Sequence, residues 1–195
     1  MTDLPRPLGL LFDMDGTLTE PLLDFPAIRR DLGLEPGANI LEALAAMTDA
    51  ERGEANAKLD LHEKRAAEAS QLADGCHDLL DHVAAIGLPY AVVTRNSRHA
   101  LELVWDKHRL PACETVTRDD AQHKPDPEPL RLAASRLGLS AEACWMIGDG
   151  QYDVEAARAA GCASVWISHG KDPRPFDATP DVTIAGLREV LSLLR

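Results

Sequence analysis

Short runs of consecutive apolar residues, separated by segments with helical periodicity, form the main pattern of the chain. The first run, Leu8–Phe12, is typical of a strand buried on both faces of a parallel sheet. From Asp74 onward, strand-like and helix-like segments alternate. The predicted strands are Tyr90–Thr94, Glu114–Val116, Cys144–Ile147, Ala163–Ile167 and Val182–Ile184. The predicted helices are Cys76–Ile86, Ser97–His108, Glu128–Leu137, Tyr152–Ala160 and Leu187–Leu194.

These repeated strand–helix units predict an α/β, Rossmann-like fold, in which helices flank a parallel sheet. Right-handed crossovers bring the carboxyl ends of all strands to one edge, where ligands bind in open α/β sheets. Residues 20–73 are rich in Ala, Glu, Leu, Lys and Arg and predict helices broken at Pro26, Gly33 and Pro36-Gly37. We therefore predict a core formed by residues 1–19 and 74–195, and an all-α insertion, residues 20–73, over that edge. The loop Lys171–Pro180 is too short to link two domains.

Charge and aromatic content exclude one class of partner. The chain has 195 residues, enough for one domain with a modest insertion, and its net charge is −12. Aromatic residues make up only 4%. Nucleic-acid surfaces need clustered Lys and Arg or stacking aromatics, so we expect no nucleic-acid partner. A small phosphorylated ligand can still bind in one local positive pocket.

Other features bear on location and assembly. The four cysteines, which are far apart and form no C-x-x-C pair, favour a reduced compartment. We find no apolar run long enough for a membrane span and no cleavable signal pattern, so the prediction is a cytoplasmic protein with no membrane partner. Either a monomer or a homodimer is compatible with the sequence.

Two pairs of aspartates follow predicted strands. Asp13 and Asp15 come directly after the first strand, and Asp149 and Asp153 begin the helix after the fourth. Carboxylates this close repel each other unless a cation offsets their charge, and Mg²⁺ prefers oxygen ligands of this kind. Helix capping by these aspartates is the alternative, and capping and metal binding are compatible.

Two further segments add positive or hydrogen-bonding groups. Thr94-Arg95-Asn96-Ser97 lies between a predicted strand and a predicted helix. The free N–H groups at the start of that helix favour an anion. Ordinary helix capping by Asn96 or Ser97 explains these residue types equally well. Lys124 lies among three prolines just before a helix, which restricts where its ammonium group can lie. A lysine held there can offset the charge of carboxylates or phosphate.

In order and spacing, these four segments resemble the motifs of the haloacid dehalogenase (HAD) superfamily, in its phosphoglycolate phosphatase-like branch with a small helical cap. The resemblance covers Leu8–Thr19 and about Asp74–Arg195, and the insertion lies where that superfamily places its cap. One departure is Gly150, where many relatives carry Ser or Asp. Nothing in the sequence identifies glycolate as the substrate.

The resemblance implies a Mg²⁺-dependent phosphomonoester hydrolase with an aspartyl-phosphate intermediate. It makes Asp13 the nucleophile, Asp15 the general acid and then base, and Lys124 the residue that offsets charge. The residues implied to hold the phosphoryl oxygens are Thr94 and, through their backbone N–H groups, Arg95 and Asn96. The residues implied to bind Mg²⁺ are Asp13, Asp15, Asp149 and Asp153, the last directly or through a neighbour.

Two other functions stay open at this stage. A phosphoryl transferase such as a sugar phosphomutase shares the pair of aspartates, and a non-catalytic phosphate-binding protein could share the fold. Asp15 disfavours dehalogenases and phosphonatases, which lack an acid at that position. The charged cap residues are expected to be mostly solvated helix faces; they are Arg29, Arg30, Lys58, His62, Lys64 and Arg65.

Overall fold

Six parallel strands form one sheet in the computed structural model, which describes residues 4–171 and 178–195. The strands are β1 (Gly9–Phe12), β2 (Tyr90–Val93), β3 (Glu114–Val116), β4 (Cys144–Gly148), β5 (Ala163–Ile167) and β6 (Val182–Ile184), in the order β3-β2-β1-β4-β5-β6. The predicted parallel α/β fold is confirmed, because each predicted strand is present within one residue of its predicted ends. Part of the predicted loop Lys171–Pro180 lies outside the described residues.

Eight α-helices lie in the described parts of the chain. They are α1 (Phe25–Asp31), α2 (Ile40–Ala45), α3 (Asp49–Ala69), α4 (Cys76–Ala85), α5 (Arg98–His108), α6 (Glu128–Arg136), α7 (Gln151–Ala160) and α8 (Val190–Leu193). The last helix is shorter than predicted, because Leu187–Glu189 forms a 3₁₀ turn, as is common at helix ends. Of the helices in the described ranges, none has both the length and the hydropathy needed to cross a membrane.

The position of β1 in the sheet determines where a site can form. β1 pairs with β2 on one side and with β4 on the other, so the connections turn in opposite directions from it. Alternate β1 side chains enter two apolar layers: Leu10 and Phe12 pack with α4 and α5, and Leu11 packs with α6 and α7. All three are fully buried. Ligands bind at the carboxyl side of such a switch point, and this edge carries the ends of β1, β2 and β4.

The three helices between β1 and α4 have a small apolar cluster of their own. It contains Ile28, Ile40, Leu44, Ala55 and Leu59. The longest of these helices, α3, begins at a capping box in which Thr48 and Glu51 satisfy each other's backbone N–H groups. Since α3 also packs along α5, the inserted helices are attached to the core on that side.

Candidate active site

The nucleophile predicted from the sequence lies at the end of β1. Asp13 is 9% exposed, and its backbone N–H donates to the carbonyl of Ile147 over 2.9 Å, which extends the pairing of β1 with β4. The chain then turns at Gly16, whose φ is +77°. A side chain at Gly16 would collide with the carboxylate of Asp149. A residue without a side chain therefore allows the ends of β1 and β4 to approach each other.

Lys124 connects the carboxylate of Asp13, which follows β1, with that of Asp153 in the first turn of α7. Its Nζ donates to Oδ1 of Asp13 over 2.6 Å and to the carbonyl of Val93 over 2.7 Å, and it lies 2.6 Å from Oδ1 of Asp153. These partners use all three ammonium protons. Burial alone would lower the pKa of Lys124, but Asp13 and Asp153 raise it above its ordinary value. The lysine is therefore charged, as the sequence analysis expects.

Three aspartates form a compact group of oxygen donors. One carboxylate oxygen each from Asp13, Asp149 and Asp153 lies within 4.8 Å of the others. Burial raises the pKa of Asp13 to about 7. The neighbouring carboxylates of Asp153 and Asp149 add to this rise, and Lys124 opposes it only in part. Burial and the nearby Asp153 also raise the pKa of Asp149 to about 7. One lysine thus does not compensate for the negative charge collected here.

These residues fit a hard divalent cation. All the donors are carboxylate oxygens, the type that Mg²⁺ prefers. Within the described ranges Asp149 pairs with no lysine or arginine, and the ring nitrogen Nε2 of His169 lies 3.7 Å from it. The fit of Asp153 is weaker, because Oδ1 contacts Lys124 and Oδ2 accepts the N–H of Gly150 over 3.0 Å.

The loop after β2 brings hydrogen-bonding groups to the same place. Nδ2 of Asn96 donates to Oδ2 of Asp15 over 2.6 Å, and the backbone N–H of Asn96 donates to Oγ1 of Thr94 over 3.2 Å. Ser97 then caps α5 by accepting the N–H of Ala100. Burial and the adjacent Asp13 raise the pKa of Asp15 to about 7, although the bond from Asn96 opposes the rise. A carboxyl group with this pKa can be protonated or ionised near neutral pH.

One cavity of about 380 Å³ collects the predicted site residues. Its lining includes Asp13, Asp15, Thr94, Arg95, Asn96, Lys124, Asp149 and Asp153. Of the charged residues considered in the insertion, Arg29 also lines it, whereas Arg30, Lys58, Lys64 and Arg65 are exposed. His62 contacts Asp31 on the insertion's surface.

Three residues at or near the site carry no motif that would predict a role there: His169, Asn39 and Tyr152. His169 has a φ of +51°, and its Nε2 lies 2.7 Å from the carbonyl oxygen of Gly16, in the turn after the nucleophile. Asn39 and Tyr152 join the insertion to the start of α7 through a hydrogen bond of 2.8 Å. The positive φ of a non-glycine residue is a structural signal with no counterpart in the sequence pattern.

Glu63, in α3, attaches the insertion to the core. Its side chain is buried and forms an ion pair with Arg118. The carboxylate also accepts hydrogen bonds from the backbone N–H of Ser97 over 3.0 Å and from the hydroxyl of Ser97 over 2.8 Å. Burial raises the pKa of Glu63, while Arg118 and Ser97 oppose the rise. Since Ser97 directly follows Thr94, Arg95 and Asn96, Glu63 links the inserted helices to the loop after β2.

Replacing Glu63 by glutamine is expected to lower the free energy of unfolding by about 1–3 kcal/mol, because Arg118 loses a buried partner. The matched control is Glu68→Gln in the same helix, where the exposed pair with Lys64 spans 3.8 Å and the change should stay within about 0.5 kcal/mol. Urea denaturation of both variants measures the difference. Equal losses would show that Glu63 does not hold the insertion in place.

Comparison with known proteins agrees with this architecture. The sequence profile of the haloacid dehalogenase-like hydrolases matches residues 31–167. An N-acetylmuramic acid 6-phosphate phosphatase of Pseudomonas aeruginosa is 31% identical, over 95% of this chain and 94% of the relative. A phosphoglycolate phosphatase of Xanthomonas campestris pv. campestris is 30% identical, over 91% of this chain and 92% of the relative.

Solved structures show the same fold. The crystal structure of a hydrolase from Pseudomonas syringae superposes with a TM-score of 0.82 at 22% identity and covers 95% of this chain and 97% of that one. The profile and the two relatives show the family of this chain, and the solved structure shows its fold. The chain belongs to the haloacid dehalogenase-like hydrolases.

Proposed function

We propose that this protein is a Mg²⁺-dependent phosphomonoester hydrolase that acts on a small phosphorylated metabolite through an aspartyl-phosphate intermediate. The observation that carries the proposal is the placement of Asp13 and Asp15 in one cavity with Lys124 and Asp149. The two relatives named as phosphatases, one for N-acetylmuramic acid 6-phosphate and one for phosphoglycolate, support it. The two relatives are named for different substrates, so they support the reaction without identifying the substrate.

Asp13 is the proposed nucleophile. Lys124 holds its Oδ1, so we assign the attack on phosphorus to the other carboxylate oxygen. A new P–O bond forms to Asp13 while the bond from phosphorus to the leaving-group oxygen breaks. The ammonium group of Lys124 keeps Asp13 in position and offsets part of the negative charge that it shares with the phosphoryl group.

Asp15 is the proposed general acid and base. Its pKa of about 7, raised by burial and by Asp13, permits it to give a proton to the departing alkoxide. The resulting carboxylate then takes a proton from water, whose oxygen attacks phosphorus. The bond from Asp13 to phosphorus breaks in this second step, which releases inorganic phosphate and restores both aspartates.

The oxygen donors of the cluster are the proposed ligands of Mg²⁺. We assign the carboxylates of Asp13 and Asp149 and the backbone carbonyl of Asp15. Asp153 is assigned to orient Lys124 and the amide of Gly150, because both of its oxygens are already engaged. When bound, Mg²⁺ would supply the positive charge that stabilises the negatively charged transition state.

The experiment is phosphate release from a panel of phosphorylated metabolites and an aryl phosphate, with and without Mg²⁺. Mg²⁺-dependent release is expected. Isomerisation of a sugar phosphate without release would favour the phosphomutase alternative, and a protein that does neither would contradict an enzymatic function.

Replacing Asp15 by asparagine tests the acid role separately. Alkyl phosphates, whose leaving groups need a proton, should lose about 10²–10⁴-fold in rate. Aryl phosphates should lose much less, because their leaving groups are weak bases. Rates measured on the two substrate classes give the comparison, and equal losses would mean that Asp15 does not protonate the leaving group.

A further inference from the structure

Two arginines line the cavity without a carboxylate partner. Arg29 lies in α1 and Arg95 follows β2, and across the described residues neither forms a salt bridge. Among the arginines of the described ranges, these two are the ones that line the cavity. The arginines that do pair with carboxylates are Arg52, Arg98, Arg118, Arg136 and Arg188.

Adjacent residues of the insertion hold both guanidinium groups. Nε of Arg29 donates to the carbonyl of Ala38 over 2.7 Å, and Nη2 of Arg95 donates to Oδ1 of Asn39 over 2.8 Å. The guanidinium carbon of Arg95 also lies 4.3 Å from the ring centre of Tyr152. Each arginine is therefore oriented, while most of its N–H groups remain available to a ligand.

Because Ala38 and Asn39 are adjacent, the two guanidinium groups lie against the same part of the cavity wall. The side chain of Arg95 contacts Asn39 of the insertion and Tyr152 of α7, whereas the phosphoryl position lies beside Asp13 and Lys124. The two guanidinium groups are thus placed for a second anionic group, distinct from the phosphate that reacts. The planar fork of arginine matches both carboxylate and phosphate oxygens.

The rest of the cavity indicates what separates the two anionic groups. Besides Arg29 and Asn39, the insertion contributes six large apolar side chains to the wall of the cavity: Leu23, Phe25, Ile28, Ile40, Leu41 and Leu59. A volume of about 380 Å³ is near the lower end of the range for small-molecule pockets and exceeds what a phosphoryl group and a cation fill. A leaving group with more than two carbon atoms, packed against these apolar side chains, therefore fits the cavity better than a two-carbon leaving group.

We propose that the substrate is a phosphomonoester whose leaving group carries a second anionic group, a carboxylate or a phosphate, and that Arg29 and Arg95 bind that group. The inference rests on the phosphatase function proposed above and names its substrate class. It also assigns the side chain of Arg95 to the leaving group, whereas the sequence analysis considered only its backbone N–H.

Three matched esters test this assignment: the phosphate ester of a hydroxy acid, that of the corresponding hydroxy amide, and the bisphosphate of the corresponding diol. With Mg²⁺, the wild type is expected to hydrolyse the acid ester or the bisphosphate with a kcat/KM about 10- to 100-fold above that of the amide ester. Whichever of the acid ester and the bisphosphate has the higher kcat/KM identifies the second anionic group as a carboxylate or a phosphate. Arg29→Met and Arg95→Met should each lower kcat/KM for the preferred ester about 10-fold more than kcat/KM for the amide ester.

Arg30→Met is the matched control, because Arg30 follows Arg29 in α1 and is exposed. It should retain the full preference. Equal hydrolysis of all three esters by the wild type would overturn the assignment while leaving the phosphatase function intact. A variant that slows the amide ester as much as the acid ester would also overturn it, since the arginine would then only support the structure. No release from any ester would contradict both proposals.

Discussion

Replacing Asp13 by asparagine is expected to reduce phosphate release at least about 10⁴-fold, because an amide oxygen cannot form the phosphorylated intermediate. The side chains are nearly the same size, so the shape of the site should survive. Lys124 keeps Asp153 and the carbonyl of Val93 as partners, so the substitution leaves no buried ammonium unpaired. The measurement is phosphate release with Mg²⁺ on the best substrate of the panel.

The control for this variant is Asp106→Asn, which changes an exposed aspartate of α5 and alters the net charge equally. Its activity should match that of the wild type. Near-ultraviolet circular dichroism establishes that Asp13→Asn is folded before its rate is interpreted. A folded Asp13→Asn protein with wild-type activity would mean that another group attacks phosphorus.

The strands and the shared edge of the sheet can be predicted because each strand is indicated by the pattern of a few consecutive residues. A buried parallel strand such as β1 reads as a continuous apolar run, and a polar segment follows it directly. Since all strands run the same way, residues after β1, β2 and β4 must meet at one edge. Residues as distant in sequence as Asp13 and Asp149 could therefore be expected at one site before their distance was known.

Contacts between the insertion and the core are not predictable in this way. Glu63 and Glu68 lie in the same polar helix, and no periodicity separates the buried one from the exposed one. What distinguishes them is a partner far away in sequence, the turn at Ser97. Arg29 and Arg30 differ for the same reason, because only the tertiary position of α1 determines which of the two lines the cavity. The local sequence pattern thus predicts the residues at the ends of the strands. It does not predict which residues of the insertion contact the core or line the cavity, because that depends on tertiary packing.

The second large effect is expected at Lys124, whose replacement by methionine would leave the carboxylates of Asp13 and Asp153 buried without their cation. Breaking a buried pair by removing one member costs about 3–5 kcal/mol, and we expect a loss of that size near pH 8. Phosphate release should fall about 10²–10³-fold, because the charge at the reacting centre is no longer offset. Urea denaturation in EDTA and the phosphate-release assay measure the two effects.

The stability loss at Lys124 should depend on pH. Burial raises the pKa of Asp13 and Asp149 to about 7 in the folded protein, above their unfolded values. The folded state therefore binds more protons than the unfolded state between about pH 4 and 7, and stability falls as pH rises through this range. Removing Lys124 raises the pKa of Asp13 further, so Lys124→Met should lose clearly less stability at pH 5 than at pH 8.

Two further variants separate charge from packing at this position. Lys64→Met, an exposed lysine in α3, should change stability by less than about 0.5 kcal/mol at either pH. Adding Asp153→Asn to Lys124→Met removes one of the uncompensated carboxylates and should recover part of the stability at pH 8. The activity should stay low, because the reacting centre still lacks its ammonium group. A loss that is the same at both pH values, and unchanged in the double variant, would show that Lys124 contributes through packing rather than through charge.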